Sequence, residues 1–120
     1  MTRVNVKRVY DEKEKDDGLR VLVDRVWPRG LSKERAAVDY WFRDLAPSSA
    51  LRQWFGHDPH RWPDFLVRYL DELKREEPED LDKLKACLEE HDKVTLLFGA
   101  KETKYNNAVA LAEFVEKGSV

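Results

Sequence analysis

Two arginines and an aspartate flank a stiff turn in the segment VDRVWPRG, and together they could bind an anion. Asp24 and Arg25 follow a strand-like apolar run, and Arg29 follows a proline that restricts the backbone on both sides. Two guanidinium groups held in this way would bind a phosphate or a carboxylate through paired hydrogen bonds. The alternative is structural, with Arg25 paired to Asp24 or to another carboxylate and with Trp27 in the core.

A second polar cluster follows the last strand-like run, in the segment FGAKETKYNNAVAL. It supplies a positive charge and two amide side chains at the point where a helix begins, and a helix amino terminus favours anions. The alternative is plain helix capping by Thr103 or an asparagine, with Lys101 in solvent. The two segments together predict one ligand-binding set: Asp24, Arg25, Arg29, Lys101, Asn106 and Asn107.

Other reactive side chains lack the spacing that catalysis or metal binding requires. His57 and His60 lie on opposite sides of a predicted helix start at Asp58, so they are not one turn apart on a formed helix. Cys87 falls in the pattern of a buried helix face, where cysteine is ordinarily core filler. Ser48 fits a helix cap and lacks the glycines of a nucleophile elbow. We therefore predict no metal and no cofactor, and the sequence assigns no catalytic residue.

Three strand-like segments would position the predicted ligand-binding residues. RVNVKRVY alternates apolar and polar side chains, whereas LRVLVDRVW and KVTLLFGA are nearly continuous apolar runs, typical of strands covered on both faces. The short connection between the first two strands leaves a long hairpin open, and the helices before the third strand permit a parallel arrangement. Parallel strands would bring their carboxyl ends to one sheet edge, where ligands bind in open α/β sheets.

Helix-start signals separate these strands. The segment AVDYWF fits a helix and an extended strand equally well, whereas the later helical patterns are clear. Helix starts are predicted at Ser32, Ser48, Asp58 and Pro78, and the last helix over about residues 104–117. The fold expected is α/β: a small, mostly parallel sheet of three or four strands, flanked by about five helices, in one compact domain over residues 1–120.

Composition narrows the classes of partner. The 120 residues carry 22 basic and 24 acidic side chains, and this balance disfavours non-specific nucleic-acid binding, although a local basic patch would allow it. No apolar run approaches the roughly 20 residues that cross a bilayer, so no membrane partner is expected. A single cysteine rules out an intramolecular disulfide and fits the reducing cytoplasm. Nothing indicates an oligomeric state.

The chain resembles the bacterial YeaO-like proteins, a family of unknown function, in five segments: VKRVYD, VLVDRVWPRGLSKE, LAPSSALRQWFGHDPHRWPDF, VTLLFGAKE and NNAVAL. These segments occur in the family's order and cover nearly the whole chain. The resemblance implies a small cytoplasmic α/β protein without an established activity. Members are sometimes labelled uroporphyrin-III methyltransferases, but this chain is short and no glycine-rich methyl-donor loop follows its first strand.

The resemblance also marks particular polar positions. The family typically has aspartate where this chain has Glu102 and histidine where it has Asn107. If that histidine were a general base, this chain would lack it. The family's recurring polar residues fall on Arg8, Asp24, Arg25, Arg29, Ser48, Arg52 and His57.

The function expected is binding of a small phosphate- or carboxylate-bearing ligand at the carboxyl edge of the sheet, with or without a reaction. Asp24 would orient an arginine there, or act as an acid-base group if burial raises its pKa. The alternative is a non-enzymatic regulatory module that binds protein or nucleic acid. That alternative would use a surface patch containing Arg35, Arg43, Arg52 and Arg61.

Overall fold

Four parallel strands form the central sheet, in the order β1-β4-β2-β3. The computed structural model describes residues 2–120. The strands are β1 (Arg3–Arg8), β2 (Leu19–Leu22), β3 (Tyr40–Trp41) and β4 (Lys93–Phe98). Together with five α-helices in the described part of the chain, they confirm the predicted α/β class and its mostly parallel sheet.

The last strand separates the first two, so the hairpin that the sequence left open does not form. In the register of β4, Arg8 of β1 pairs with Phe98, and Leu22 of β2 pairs with Leu97. After β1 the chain returns to the amino edge of the sheet through residues 9–18. As a result, β1, β2 and β4 all end at the same edge.

The helices are α1 (Lys33–Ala36), α2 (Ser49–Phe55), α3 (Trp62–Glu76), α4 (Glu79–Glu90) and α5 (Asn107–Glu116). Three predicted caps are confirmed, because each side chain accepts a hydrogen bond from a backbone N–H of the turn that follows: Ser32, Ser48 and Asp58. The turn that Asp58 caps is a 3-10 turn over Pro59–Arg61, and α3 begins directly after it, at Trp62. Within residues 2–120, no helix is both long enough and apolar enough to span a membrane.

The structure defines two helix boundaries that the sequence patterns left open or placed differently. The ambiguous segment AVDYWF becomes the end of α1 followed by β3, because Ala37 takes a left-handed conformation with φ 50° and stops the helix. The last helix begins at Asn107, later than predicted, because the side chain of Asn106 accepts the N–H of Val109 and caps it there. Glu102 accepts backbone N–H groups just before that cap, so the chain turns instead of winding into the helix.

Apolar side chains pack on both faces of the sheet. Leu22 and Leu97 belong to a small cluster with Trp27, whereas their neighbours Val21 and Leu96 belong to the main core. Because successive strand residues point to opposite faces, the two clusters lie on opposite sides of the sheet. Helices α2 to α5 contribute to the main core, and α1 contributes to the small one. The prediction that β2 and β4 are covered on both faces is confirmed.

Candidate functional site

A cavity of about 200 Å³ opens at the carboxyl edge of the sheet, beside the end of β2. Its polar lining comes from three parts of the chain. Asp24 and Arg25 follow β2, Arg52 and His57 lie on and just after α2, and Asn107 begins α5. The apolar lining includes Pro47, Phe55 and Phe65. The cavity therefore lies on the main-core side, where parallel strands bring their carboxyl ends together.

The carboxylate of Asp24, in the wall of this cavity, joins three elements. Its Oδ2 accepts the backbone N–H of Gly99, just after β4, at 2.8 Å. Its Oδ1 accepts the side-chain amide of Asn107, at the start of α5, at 3.2 Å. The same amide donates to the carbonyl of Val23 at 3.1 Å. A Cβ on Gly99 would come within 3.3 Å of Asp24 Oδ2, so the close approach of the two segments favours glycine there.

Burial raises the pKa of Asp24 above the ordinary value for an aspartate. The two hydrogen bonds to the carboxylate and the positive charges of Arg52 and His57 act in the opposite direction, because they stabilise the ionised form. Removal from water outweighs them. The net effect is that the Asp24 carboxyl group holds its proton more tightly than an ordinary aspartate does.

We predict that ionisation of Asp24 costs folding stability as the pH rises. An aspartate in an unfolded chain titrates near about 3.9, and the folded pKa of Asp24 lies above its usual value. Below the unfolded pKa its contribution is fully present, and it is lost as the pH rises through the folded pKa, because the folded state binds the proton more tightly. Urea unfolding of wild type and Asp24→Asn across this pH range measures the effect. The free energy of unfolding of the wild type should fall relative to that of the variant, and a relative rise would contradict the prediction.

Arg25 presents its guanidinium to the same cavity with few partners of its own. One Nη2 hydrogen bond reaches the carbonyl of Ala46, at a long 3.3 Å. Its Nε is buried and finds no hydrogen-bond partner among residues 2–120. Over the same residues, no carboxylate oxygen lies within 4.0 Å of an Arg25 nitrogen. The structural alternative, in which Arg25 pairs with Asp24, is therefore not what these side chains adopt.

Arg52 and His57 complete the rim of the cavity, and both side chains are exposed. The chain reverses after α2 through two successive residues of positive φ, Gly56 at 53° and His57 at 56°. This turn lets the Nδ1 of His57 reach the carbonyl of Tyr105 at 2.9 Å. Because a carbonyl only accepts, the Nδ1 must carry the proton, which leaves the Nε2 of a neutral His57 as an acceptor.

A hydrogen-bonded pair holds the start of the helix that carries Arg52. Ser48 caps α2 and also donates twice to Glu72 of α3, through its N–H at 2.9 Å and its hydroxyl at 2.6 Å. Both oxygens of the Glu72 carboxylate are used. Arg52 in turn donates to the hydroxyl of Ser49 at 3.1 Å, one turn nearer the cap. The helix, and with it one side of the cavity, is thereby braced against α3.

The structure brings together three of the six residues predicted from the sequence: Asp24, Arg25 and Asn107 line the cavity. The other three do not line it. Asn106 is buried as the cap of α5 and donates to the carbonyl of Glu102 at 2.9 Å. Lys101 and Arg29 are exposed. The expected fork of Arg25 and Arg29 is thus absent from the cavity, although the strand end and the start of α5 do meet.

The packing of Trp27 explains where Arg29 lies. Trp27 packs edge-to-face on Trp41, with ring centroids 5.5 Å apart, and donates to the carbonyl of Leu31 at 2.8 Å. Both rings belong to the small cluster, on the side of the sheet opposite the main core. Tyr10 further holds the carbonyl of Arg29 at 2.9 Å. The rigid turn, and Arg29 with it, therefore lies beside the small cluster. Arg25, two residues before Trp27, lines the cavity.

Reasoning from residue patterns missed Arg52 and His57 as cavity residues. The residue patterns place Arg52 in a possible surface patch and His57 at a helix boundary, because neither follows a strand. The family resemblance did mark both positions. Two further marked residues support the site from outside: Ser48 caps α2, and Arg8 donates to the carbonyl of Ala100 at 3.0 Å.

No metal-binding cluster is present within residues 2–120, where no three side chains of histidine, cysteine, aspartate or glutamate come together. Cys87 is buried on α4, where burial raises the pKa of its thiol and keeps it protonated. The hydroxyl of Ser48 is occupied by Glu72 and by the N–H of Leu51. The cavity thus offers guanidinium, carboxylate, imidazole and amide groups for binding.

The chain is similar to one family along nearly its whole length. A family model described as the inactive DUF488-N3 subclade matches residues 3–119. The chain belongs to this family. The uncharacterised protein YeaO of Escherichia coli is 40% identical over 112 residues, which make up 93% of this chain and 96% of that protein. The YeaO-like resemblance is thereby confirmed.

Two mycobacterial relatives match a shorter stretch. Uncharacterised proteins of Mycobacterium tuberculosis and Mycobacterium bovis are each 51% identical over 72 residues, which make up 60% of this chain. The match spans about three fifths, 61%, of the length of those curated relatives. These relatives carry no assigned function. No solved structure matches the chain.

Proposed function

We propose that the cavity beside β2 binds a small anion that bears a phosphate or carboxylate group, with Arg25 as its main contact. The observation that carries the proposal is the state of the Arg25 side chain. A guanidinium has five N–H donors, yet Arg25 makes one long hydrogen bond, and its buried Nε has no partner among the described residues. Buried polar groups are normally hydrogen-bonded, so this guanidinium has donor capacity left for an acceptor in the cavity that Arg25 lines.

The charges around the cavity support an anionic ligand. Two arginines and one aspartate line it, so the formal charge is positive by one with His57 neutral. Arg52 sits at the exposed rim, where its guanidinium would meet an entering anion. Guanidinium groups match phosphate and carboxylate oxygens in geometry as well as charge.

Binding without catalysis is the form of this proposal that has more support. The family is described as an inactive subclade. Ser48, which follows the cavity residue Pro47, donates its hydroxyl to Glu72. The position where the YeaO-like resemblance implies a histidine is Asn107 in this chain, and an amide cannot act as a general base at neutral pH. We also expect a cytoplasmic location, because the single cysteine would stay reduced there.

The alternative, a regulatory module that binds protein or nucleic acid, has less support. Three of its four expected arginines have different surroundings. The guanidinium carbon of Arg43 lies 5.2 Å from the ring centroid of Trp41, that of Arg61 lies 5.2 Å from the ring centroid of Trp54, and Arg52 lines the cavity. A continuous basic patch would require these side chains to share one surface.

The test of the proposal is to replace Arg25 by Met and titrate anions by calorimetry. Hydrogen bonds to charged groups contribute about 1.5–3 kcal/mol, so the variant should bind inorganic phosphate or acetate roughly 10- to 150-fold more weakly. Arg29→Met is the matched control, because Arg29 is exposed and does not line the cavity. Its affinity should stay within about twofold of the wild type.

Two results would contradict this proposal. Arg25→Met could bind the anions as well as the wild type does, or both arginine variants could lose affinity equally. Thermal unfolding without ligand shows whether each variant is folded. Arg25→Lys keeps the charge but not the planar donor fork, so it should bind with intermediate affinity.

A further inference from the structure

We propose that the ligand of this cavity is amphoteric: it carries an anionic group for Arg25 and Arg52 together with a protonated amine for Asp24. This inference rests on the proposed function and names the class of ligand that the same cavity would take. The geometry that points to it is the placement of Asp24 in the cavity wall, unpaired with either arginine.

Asp24 lines the cavity as a carboxylate with spare acceptor capacity. Each oxygen accepts one hydrogen bond, Oδ2 from Gly99 and Oδ1 from Asn107. A carboxylate oxygen can accept two, so each keeps a free lone pair. In the part of the chain that the structure describes, no arginine nitrogen lies within 4.0 Å of these oxygens. The existing partners hold the carboxylate in place and leave it able to receive a donor.

A ligand that is only an anion fits this arrangement poorly. Asp24 shares a cavity of about 200 Å³ with Arg25, so an anion bound to the arginine lies close to a second negative charge. Like charges repel, and the repulsion is stronger inside a cavity than in bulk water. A wall that repels one ligand class selects against it. A ligand with an ammonium group removes the repulsion and replaces it with an attraction.

The size of the cavity suits a ligand smaller than a drug-sized molecule. The volume of about 200 Å³ exceeds the roughly 30 Å³ that one water molecule occupies. It falls below the range of about 300–1,000 Å³ that is usual for drug-sized ligands. The apolar wall formed by Phe55, Phe65 and Pro47 suits a short hydrocarbon link between the two charged groups. Amino acids and phosphorylated small amines have these features.

A rival explanation gives Asp24 the opposite role. Burial raises the pKa of this carboxyl group, against the effect of Arg52 and His57. A protonated Asp24 would donate a hydrogen bond to a simple anion and would receive no ammonium group. The rival therefore expects simple anions to bind at least as tightly as their amphoteric counterparts.

Calorimetric titration with two matched pairs of probes separates these cases. Acetate and glycine share a carboxylate, and inorganic phosphate and phosphoethanolamine share a phosphate. In the wild type we expect the amphoteric member of at least one pair to bind about tenfold more tightly, equivalent to about 1.4 kcal/mol. In Asp24→Asn that preference should disappear while the simple anions still bind. Arg25→Met should weaken all four probes.

The outcomes distinguish failure of the ligand class from failure of anion binding itself. If simple anions bind the wild type as tightly as both amphoteric probes, and Arg25→Met weakens them, the amphoteric ligand is overturned and the anion site stands. The same conclusion follows if Asp24→Asn is folded and keeps the preference. If none of the four probes binds in a manner that depends on Arg25, both proposals are overturned. The wild-type comparison needs no variant, so a poorly folded variant leaves it intact.

Discussion

Replacing Arg20 by Met should lower the free energy of unfolding by about 3–5 kcal/mol, the usual cost of breaking a buried ion pair from one side. Arg20 lies on β2 with its side chain fully buried, and its Nη1 contacts Asp17 Oδ2 at 2.5 Å. Its other nitrogens donate to the carbonyls of Ala37 at 3.0 Å and Ala36 at 2.8 Å. The substitution removes the donors of both carbonyls and leaves Asp17 with Lys7, at 3.2 Å, as its ion-pair partner. Urea unfolding at neutral pH measures the loss.

The matched control is an exposed ion pair of the same types. Arg75 contacts Asp71 at 2.8 Å on α3, but these side chains are 67% and 61% exposed, against 0% and 8% for Arg20 and Asp17. Arg75→Met should therefore change stability by no more than about 1 kcal/mol. Similar losses at both positions would mean that burial does not decide the value of the Arg20 pair.

The Asp17 side of this pair gives the expected loss a pH dependence. Burial alone would raise the pKa of Asp17, but hydrogen bonds from the Glu14 backbone, Lys7 and Arg20 lower it overall. Its stabilising contribution is therefore present above the unfolded pKa and is lost as the pH falls through the folded one. The destabilisation caused by Arg20→Met should shrink in acid, which is opposite in sign to the effect expected for Asp24.

Replacing Gly18 by Ala should destabilise the protein by about 3 kcal/mol or more, because backbone strain and a steric clash act together. Gly18 has φ 62° and ψ −136°, a conformation that is essentially restricted to glycine. A Cβ there would lie 2.3 Å from the carbonyl oxygen of Lys93, at the start of β4. Backbone atoms cannot move aside as a flexible side chain can. Urea unfolding measures the change.

Gly30→Ala separates the two causes. Gly30 also has a positive φ, at 79°, but a Cβ there would meet nothing within 4 Å. Only the conformational cost remains, about 1–2 kcal/mol. If the two alanine variants are equally stable, the contact with Lys93 has no energetic weight.

Much of the local structure follows from short-range patterns in the sequence. The caps at Ser32, Ser48 and Asp58 were predictable because a hydroxyl or carboxylate satisfies backbone N–H groups only two or three residues away. The two strands covered on both faces were predictable because a short, nearly continuous apolar run is typical of such strands. Arg20 is the one charged residue of β2, and its burial does not follow from the apolar pattern. It depends on hydrogen-bond acceptors from Asp17 and from the end of α1.

The sequence by itself determined that polar residues follow two covered strands, and hence that Asp24 and the segment near Asn107 would share one sheet edge if the strands were parallel. Only the tertiary structure decided which side chains meet there. The pairing of β4 between β1 and β2 joins residues far apart in the chain, and no local pattern encodes that order. The packing of Trp27 on the opposite face carries Arg29 away, and the turn after α2 brings Arg52 and His57 in. Local periodicity specifies each element, whereas a cavity is formed by the contacts between elements.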